Sequence, residues 1–463
     1  MRAARPRVLR GPLRRTSVGL GTWRRFTSAT PSDYDVVIAG GGIIGASVAY
    51  HLIVAKPSLK ICVIERDPSY TAASAVLSAG GIRQQFSLSA NIQLSLYGID
   101  FVRSASTLLA VPGESAPDLQ FKEQGYLFLA SEAGEPTLRR NVATQRACGV
   151  DWTTLLSPAE MAVRFPWLNT DGLALGCFGE HSEGWFDPWA LLNALRARSR
   201  HMGVEFRHGS VVGLGVSISD GNTSISTVRV QLPAAKPRPS AGSHVGGKQD
   251  DDSTIELGAG ALVNAAGAFA ARIVRMGGEH MHDLPVRARK RSMFSVTCGP
   301  GRAPQPAHDA TPLVVDPSGA WFRPDGAAGR FLCGMSPPVD RGDPDCSSPA
   351  ALRDVDHALF DELIWPVLYG RCEAFAALRP ASAWAGFYEY NTLDANAVIG
   401  RHPQLSNLIL CNGFSGHGLQ QAPGAGRAVA ELLTTGGYTS IDVSCFGFER
   451  VQRGEPLYEQ NIV

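Results

Sequence analysis

The chain carries almost no net charge, no close cysteine pair and no acid before Asp33. Each of these absences removes a class of function. Lys and Arg total 43 against 42 Asp and Glu, a formal net charge of +1. No basic field is therefore available for nucleic acid or an anionic membrane surface. The nine cysteines are scattered and odd in number, and no two are spaced C-x-x-C. That argues against a disulfide framework and a structural zinc site, predicts no bound metal, and suits a reducing compartment. Long apolar runs are also scarce. Val36 to Ala55 is an uncharged, mostly apolar stretch of membrane-span length, and Gly40, Gly41, Gly42 and Gly45 break it up. The expectation is a protein that does not cross a membrane. No internal repeat is present, and 463 residues suffice for two or three domains.

What is present begins with arginine. Arg2, Arg5, Arg7, Arg10, Arg14, Arg15, Arg24 and Arg25 alternate with Leu9, Leu13, Val18, Leu20 and Trp23. An arginine-rich, acid-free, partly amphipathic leader over residues 1–32 reads as a mitochondrial presequence, cleaved between Phe26 and Thr30. The expected location is the matrix or the matrix face of the inner membrane. The sequon at Asn222 would then go unused.

Directly after the leader, Asp35-Val36-Val37-Ile38-Ala39-Gly40-Gly41-Gly42-Ile43-Ile44-Gly45 reads as a buried strand, a glycine turn and a helix to about Val54. Gly40 permits the turn, Gly42 lets backbone approach a pyrophosphate, and Gly45 brings helix and strand close. The helix N-terminus favours phosphate. A second strand, Lys60 to Ile64, delivers Glu65 to a ribose hydroxyl, and that carboxylate would repel a 2′-phosphate. The order of elements points to a dinucleotide other than NADP.

Farther along, Asp187 caps a helix that opens with Pro188, and Val204 to Phe206 reads as a strand. Ala261 to Gly267 reads as a buried strand running into a short helix from Phe269. From Val286 the pattern changes to longer alternating runs, including Ser292 to Cys298 and Trp321 to Gly334, which predict an antiparallel sheet. Pro233 to Ser253, Gly299 to Ala310 and Pro338 to Ala350 read as surface loops. The strand Leu408 to Cys411 then leads through Gly413-Phe414-Ser415-Gly416-His417-Gly418 into a helix ending near Leu433.

With that C-terminal glycine loop, the sequence from about Asp33 to Val463 resembles the D-amino-acid-oxidase superfamily of flavoproteins, which includes sarcosine oxidase and dimethylglycine dehydrogenase. Gly81-Ile82-Arg83-Gln84-Gln85-Phe86, Glu183 to Trp189 and Ser382 to Tyr388 are similar to a mitochondrial branch associated with assembly of respiratory complex I. The resemblance implies a discontinuous Rossmann-like α/β domain for FAD, over 33–112, 181–283 and 387–463. It also implies an α+β substrate domain with a large mixed or antiparallel sheet, over 113–180 and 284–386.

The cofactor-binding residues so implied are Gly40, Gly41, Gly42, Ile43, Ile44, Gly45, Glu65, Arg66, Ser74, Gly80, Gly81, Ala266 and Gly267. The C-terminal loop adds Gly413, Phe414, Ser415, Gly416, His417, Gly418, Leu419 and Gln420. Loop and helix amides are expected near the flavin pyrimidine, where they would favour the anionic reduced form. Arg83 is expected to clamp a substrate carboxylate. His417 and Lys290 are further candidates at the ring, and Tyr388 and Tyr390 are a candidate lid.

Departures from the family are equally informative. Leu332 stands where oxidases carry an oxygen-activating lysine, and Gln420 replaces a second carboxylate-binding cation. Phe387 and Val76-Leu77-Ser78-Ala79 stand where relatives attach the flavin covalently, so FAD is expected to be non-covalent. The implied function is an FAD-dependent oxidoreductase of amines or amino acids, with complex I subunits or assembly intermediates as partners. The alternative is a conventional amine oxidase or dehydrogenase with no assembly role. A pyridine-nucleotide reductase is disfavoured, because only one complete fingerprint is present.

Overall fold

The opening run is uncharged because both faces of its strand and nearly all of its helix are covered. The computed structural model describes residues 33–219, 221–233, 254–299, 301 and 303–460. The arginine-rich leader and most of the polar stretch from 233 to 253 lie outside the described residues. The elements that build the site, in chain order, are β1 (Tyr34–Ala39), α1 (Ile43–Ala55), β2 (Ile61–Glu65), α2 (Ser89–Leu108), β3 (Thr254–Asn264), β4 (Val286–Cys298), β5 (Leu378–Asn391), β6 (Leu405–Asn412) and α3 (Gly418–Thr435).

In the first sheet the order is Val398–His402, β6, β3, β1, β2, Glu205–His208. From β6 to Glu205–His208 every pair is parallel. Alternation along β1 sends Val36 and Ile38 into a core with Ala46, Ala49 and Leu52 of α1 and Ala422, Ala425 and Val429 of α3. Val37 and Ala39 point the other way, into a core with Leu214, Val228 and Val230. Those residues belong to a hairpin, Ser210–Ser219 with Asn222–Gln231, that pairs antiparallel with the first half of β3. A strand covered on both faces must read as a continuous apolar run. The hairpin also explains why β3 starts at Thr254, seven residues before the strand read from the apolar pattern. As expected, Asp187 caps the Pro188–His201 helix, accepting from the Trp189 and Ala190 amides.

The second sheet runs β5, β4, Arg330–Gly334, Trp321–Pro324, Leu313–Val315, Tyr126–Ala130, Leu175–Gly179, Thr153–Leu156. All its pairs are antiparallel except Leu313–Val315 with Tyr126–Ala130. Among the described residues no helix is long and apolar enough to cross a membrane.

Helices α1 and α3 approach closely because of small residues. Ser47 Oγ donates to the Ala422 carbonyl at 2.8 Å, and a Cβ on Gly426 would stand 2.7 Å from the Ser47 carbonyl carbon. This contact fixes where α3, and therefore the loop before it, meets the nucleotide turn. Gly426→Ala should cost roughly 1–3 kcal/mol through overpacking against backbone. Gly370→Ala, where a Cβ meets nothing within 4 Å, should be neutral or slightly stabilising in its helix. Thermal denaturation of the two variants checks the contrast.

Candidate functional site

Two adjoining cavities run along the C-terminal ends of the parallel strands, the usual ligand position in such sheets. One, of about 270 Å³, is lined by Gly40, Gly42, Ile43, Ile44, Glu65, Arg66, Ala266 and Gly267. The other, of about 500 Å³, is lined by Gly80, Gly81, Arg83, Tyr126, Phe128, Tyr388 and Ser415 through Gln420. Ile43, Ser74, Phe387 and Glu389 belong to both.

At the smaller cavity the three fingerprint glycines do different work. Gly40 has φ +100°, and a Cβ there would meet the Ala265 carbonyl oxygen at 2.4 Å. A Cβ on Gly45 would lie 1.9 Å from the Gly40 carbonyl oxygen, so only glycine lets α1 sit on the turn. Beside Gly42 nothing lies within 4 Å. That gap adjoins a helix start with no side-chain cap and no acid in its first turn, an arrangement suited to a pyrophosphate. Glu65 accepts from the Gly41 and Asp67 amides, each at 2.8 Å, which fixes its carboxylate at the end of β2.

The larger cavity is organised around Arg83, only 9% exposed. Its guanidinium carbon lies 4.2 Å from the Phe86 ring centre and 5.2 Å from that of Phe128. Nη2 donates to His417 Nε2 at 3.2 Å, and Nη1 has no hydrogen-bond partner. An arginine cannot accept, so His417 Nε2 is unprotonated and the imidazole is neutral. Burial and the adjacent guanidinium push the His417 pKa down to about 3, which agrees. The backbone of Arg83 is fixed too: its amide donates to Gln420 Oε1 at 2.8 Å, and its carbonyl accepts from Ser95 Oγ.

Two carboxyl groups flank this region. Glu183 accepts from the Gln84 amide at 2.8 Å and from Gln85 Nε2 at 2.7 Å, and burial lifts its pKa to about 7. Glu389 accepts from the Gly413 amide at 3.2 Å and is likewise lifted to about 7, chiefly by desolvation. The three sequence segments singled out at the start converge here. Gly81–Ile82 pairs with Gly184–Trp185, and Trp384 Nε1 on β5 donates to the Leu77 carbonyl at 3.0 Å.

Comparison with known proteins decides the family. Residues 35–432 match the family model described as FAD dependent oxidoreductase (DAO). The chain belongs to the DAO family of FAD-dependent oxidoreductases. A Xenopus laevis relative called FAD-dependent oxidoreductase domain-containing protein 1 is 41% identical over 95% of this chain and 88% of its own length. A Bos taurus relative of the same name is 42% identical over 96% of the chain and 90% of its own length. Among solved structures, L-proline dehydrogenase from P. horikoshii superposes with a TM-score of 0.73 at 25% identity. That match covers 92% of this chain and all of that one.

The DAO-family cofactor is FAD, and the residues present fit it. The gap beside Gly42, the uncapped α1 terminus and Glu65 suit the nucleotide half, and the larger cavity adjoins them without a break. When bound, FAD supplies a two-electron acceptor for hydride. Among the described residues no cysteine lines either cavity, and the phenyl ring of Phe387 belongs to the lining of both.

The structure places several of the expected site residues away from the cavity walls. Lys290 lines neither cavity; its Nζ donates to the Asp354 carbonyl at 2.8 Å, and its neighbour Arg291 lines the larger cavity while held by Asp343 at 2.8 and 2.9 Å. Gly41, Gly45, Gly413 and Phe414 do not line the cavities either. Gly41 leaves room for Tyr70 and Glu65, Gly45 packs α1, Gly413 turns at φ +77°, and Phe414 is buried in the helix core. The loop amides are largely spoken for: Gly413 donates to Glu389, Ser415 to the Glu389 carbonyl and His417 to the Phe414 carbonyl. Leu332 does not line the cavity, although its registry partner Arg323 lies on the same face of the sheet. Tyr388 lines the cavity and its hydroxyl donates to the Ser415 carbonyl; Tyr390 lies outside the cavity wall, stacked beside Tyr388 and under the Arg289 guanidinium. Sequence reasoning missed Glu183, Glu389, Tyr126 and Phe128. Glu183 and Glu389 stood inside or next to the quoted motifs, so acids at motif edges were the available signal.

A carboxyl whose pKa is raised in the native state stabilises fully below its unfolded value and loses that contribution as pH rises through its native value. For Glu183 the window runs from about 4.5 to about 7. Glu183→Gln should therefore gain stability relative to the parent between pH 5 and pH 8, by on the order of 2 kcal/mol. Buried His51, His402 and His417 act in the opposite sense at lower pH, and they cancel in this difference. Chemical denaturation of both proteins at the two pH values measures it.

Proposed function

We propose that the chain oxidises a small secondary amine or amino acid, holding the substrate carboxylate on Arg83. The observation that carries this reading is a buried guanidinium with a free Nη1 and, among the described residues, no salt-bridge partner, opening into an aromatic-walled cavity beside the nucleotide groove. A buried charge needs a counter-charge, and a bidentate carboxylate is the usual partner of arginine. Neutral His417 keeps the guanidinium aimed without neutralising it. Phe86, Tyr126 and Phe128 shield the guanidinium from water, and Tyr126 and Phe128 also wall the cavity. Leu332 lies outside the cavity wall, so the resemblance bears on Gln420, which supplies no cation where oxygen-using relatives have one and favours a dehydrogenase that passes electrons to another carrier. Anaerobic addition of N-methyl or cyclic amino acids should bleach the flavin of the holoprotein. Arg83→Gln should raise the concentration needed roughly 10- to 100-fold, as expected for a lost charge-assisted pair. No bleaching with any amine carboxylate would contradict the reading.

A second reading concerns the setting. The resemblance of the 81–86, 183–189 and 382–388 segments supports a mitochondrial matrix flavoprotein needed for assembly of respiratory complex I, with assembly intermediates as partners. The absent cations make slow turnover compatible with that role. In cells lacking the protein, native gels should show incomplete complex I, restored by the parent chain. Rescue by Gly42→Glu, which places a carboxylate in the phosphate gap, would show that FAD is dispensable there. Intact complex I in the deletion would end the assembly reading.

A further inference from the structure

The cavity that holds Arg83 contains a second charge without a counter-charge. Three carboxylates line it: Glu389, Asp394 and Glu459. Asp394 is committed to Arg450 at 2.9 Å. Glu459 is committed to the start of α2, accepting from the Ser87 amide at 2.7 Å, the Leu88 amide at 3.2 Å and Asn91 Nδ2 at 2.6 Å. Glu389 accepts only from backbone, at Gly413 and Phe414. Among the described residues no lysine, arginine or histidine pairs with it. Of the cations on the same walls, Arg291 is held by Asp343 and Arg83 faces a neutral imidazole. One unmatched cation and one unmatched carboxylate thus open into a single cavity, a pattern complementary to a zwitterion.

We propose that Glu389 receives the ammonium group of a zwitterionic substrate whose carboxylate lies on Arg83, and takes a proton from it. This rests on the amine carboxylate reading above and names the group that recognises the other end. In the step an N–H bond breaks and an O–H bond forms on the Glu389 carboxylate. The nitrogen keeps its electron pair, and no electron changes hands. Only the neutral amine can then release hydride from its adjacent carbon. Burial places Glu389 near a pKa of 7, within reach of exchange with an ammonium whose own acidity rises on leaving water.

The test compares N-methylglycine with methoxyacetate, which keeps size and carboxylate but has no charge on the central atom. Both are titrated into the holoprotein by the change in flavin absorbance. Glu389→Gln keeps an acceptor for the Gly413 amide and removes only the charge. The parent should prefer N-methylglycine by about tenfold or more, the scale of one charged hydrogen bond. Glu389→Gln should bring that preference close to unity by weakening N-methylglycine alone, whereas Arg83→Gln should weaken both ligands. Glu389→Asp, which retains charge, should retain a preference and serves if the glutamine variant folds poorly. An unchanged preference in Glu389→Gln would overturn the assignment and leave the Arg83 reading intact. Failure of the parent to bind either ligand would overturn both.

Discussion

Removing a guanidinium from water is costly unless its charge is met, and among the described residues the Arg83 side chain is met by a neutral imidazole and aromatic faces. The surrounding structure is arranged to keep it so. Gln420 and Ser95 hold its backbone. Glu183, whose carboxyl feels the Arg83 charge, accepts from the Gln84 amide and the Gln85 side chain instead of forming a salt bridge with it. On the proposed function, that charge is left for the carboxylate of a ligand.

The same economy of space shapes the nucleotide end. Gly45 and Gly426 let α1 lie against the Gly40 turn on one side and α3 on the other. Because α3 follows directly from the 413–418 loop, that packing sets the distance between the phosphate turn and the loop. Tyr388 then ties the loop to β5 through the Ser415 carbonyl. The two sheets are thereby joined at the cavity: β6 of the parallel sheet leads into the loop, and β5 of the antiparallel sheet pins it.

Much of this was legible beforehand. The β1–α1–β2 unit, Glu65 and the antiparallel character after Val286 follow from hydrophobic period and glycine placement, which are local signals. Arg83, His417 and Gln420 were found by resemblance, and the structure brings them within contact of one another although more than 330 residues separate Arg83 from His417. Lys290 was misplaced because a run of basic residues on one strand does not reveal which side chain is drawn outward; the Asp354 loop decides it. Glu389 was passed over because its place at the edge of the 382–388 segment is a weak signal, and its character arises from burial between two cavities. The hairpin over β3 escaped because its pairing partner is separated from it by a long polar stretch.

The central claim is that Arg83 is reserved for a ligand carboxylate. The most direct measurement is a crystal structure of the holoprotein soaked with methoxyacetate. The account predicts both carboxylate oxygens within hydrogen-bond distance of the Arg83 guanidinium, Nη1 included, with His417 still accepting from Nη2. A carboxylate bound elsewhere in the cavity, or an Arg83 side chain turned to pair with Glu183 or Glu389, would contradict it.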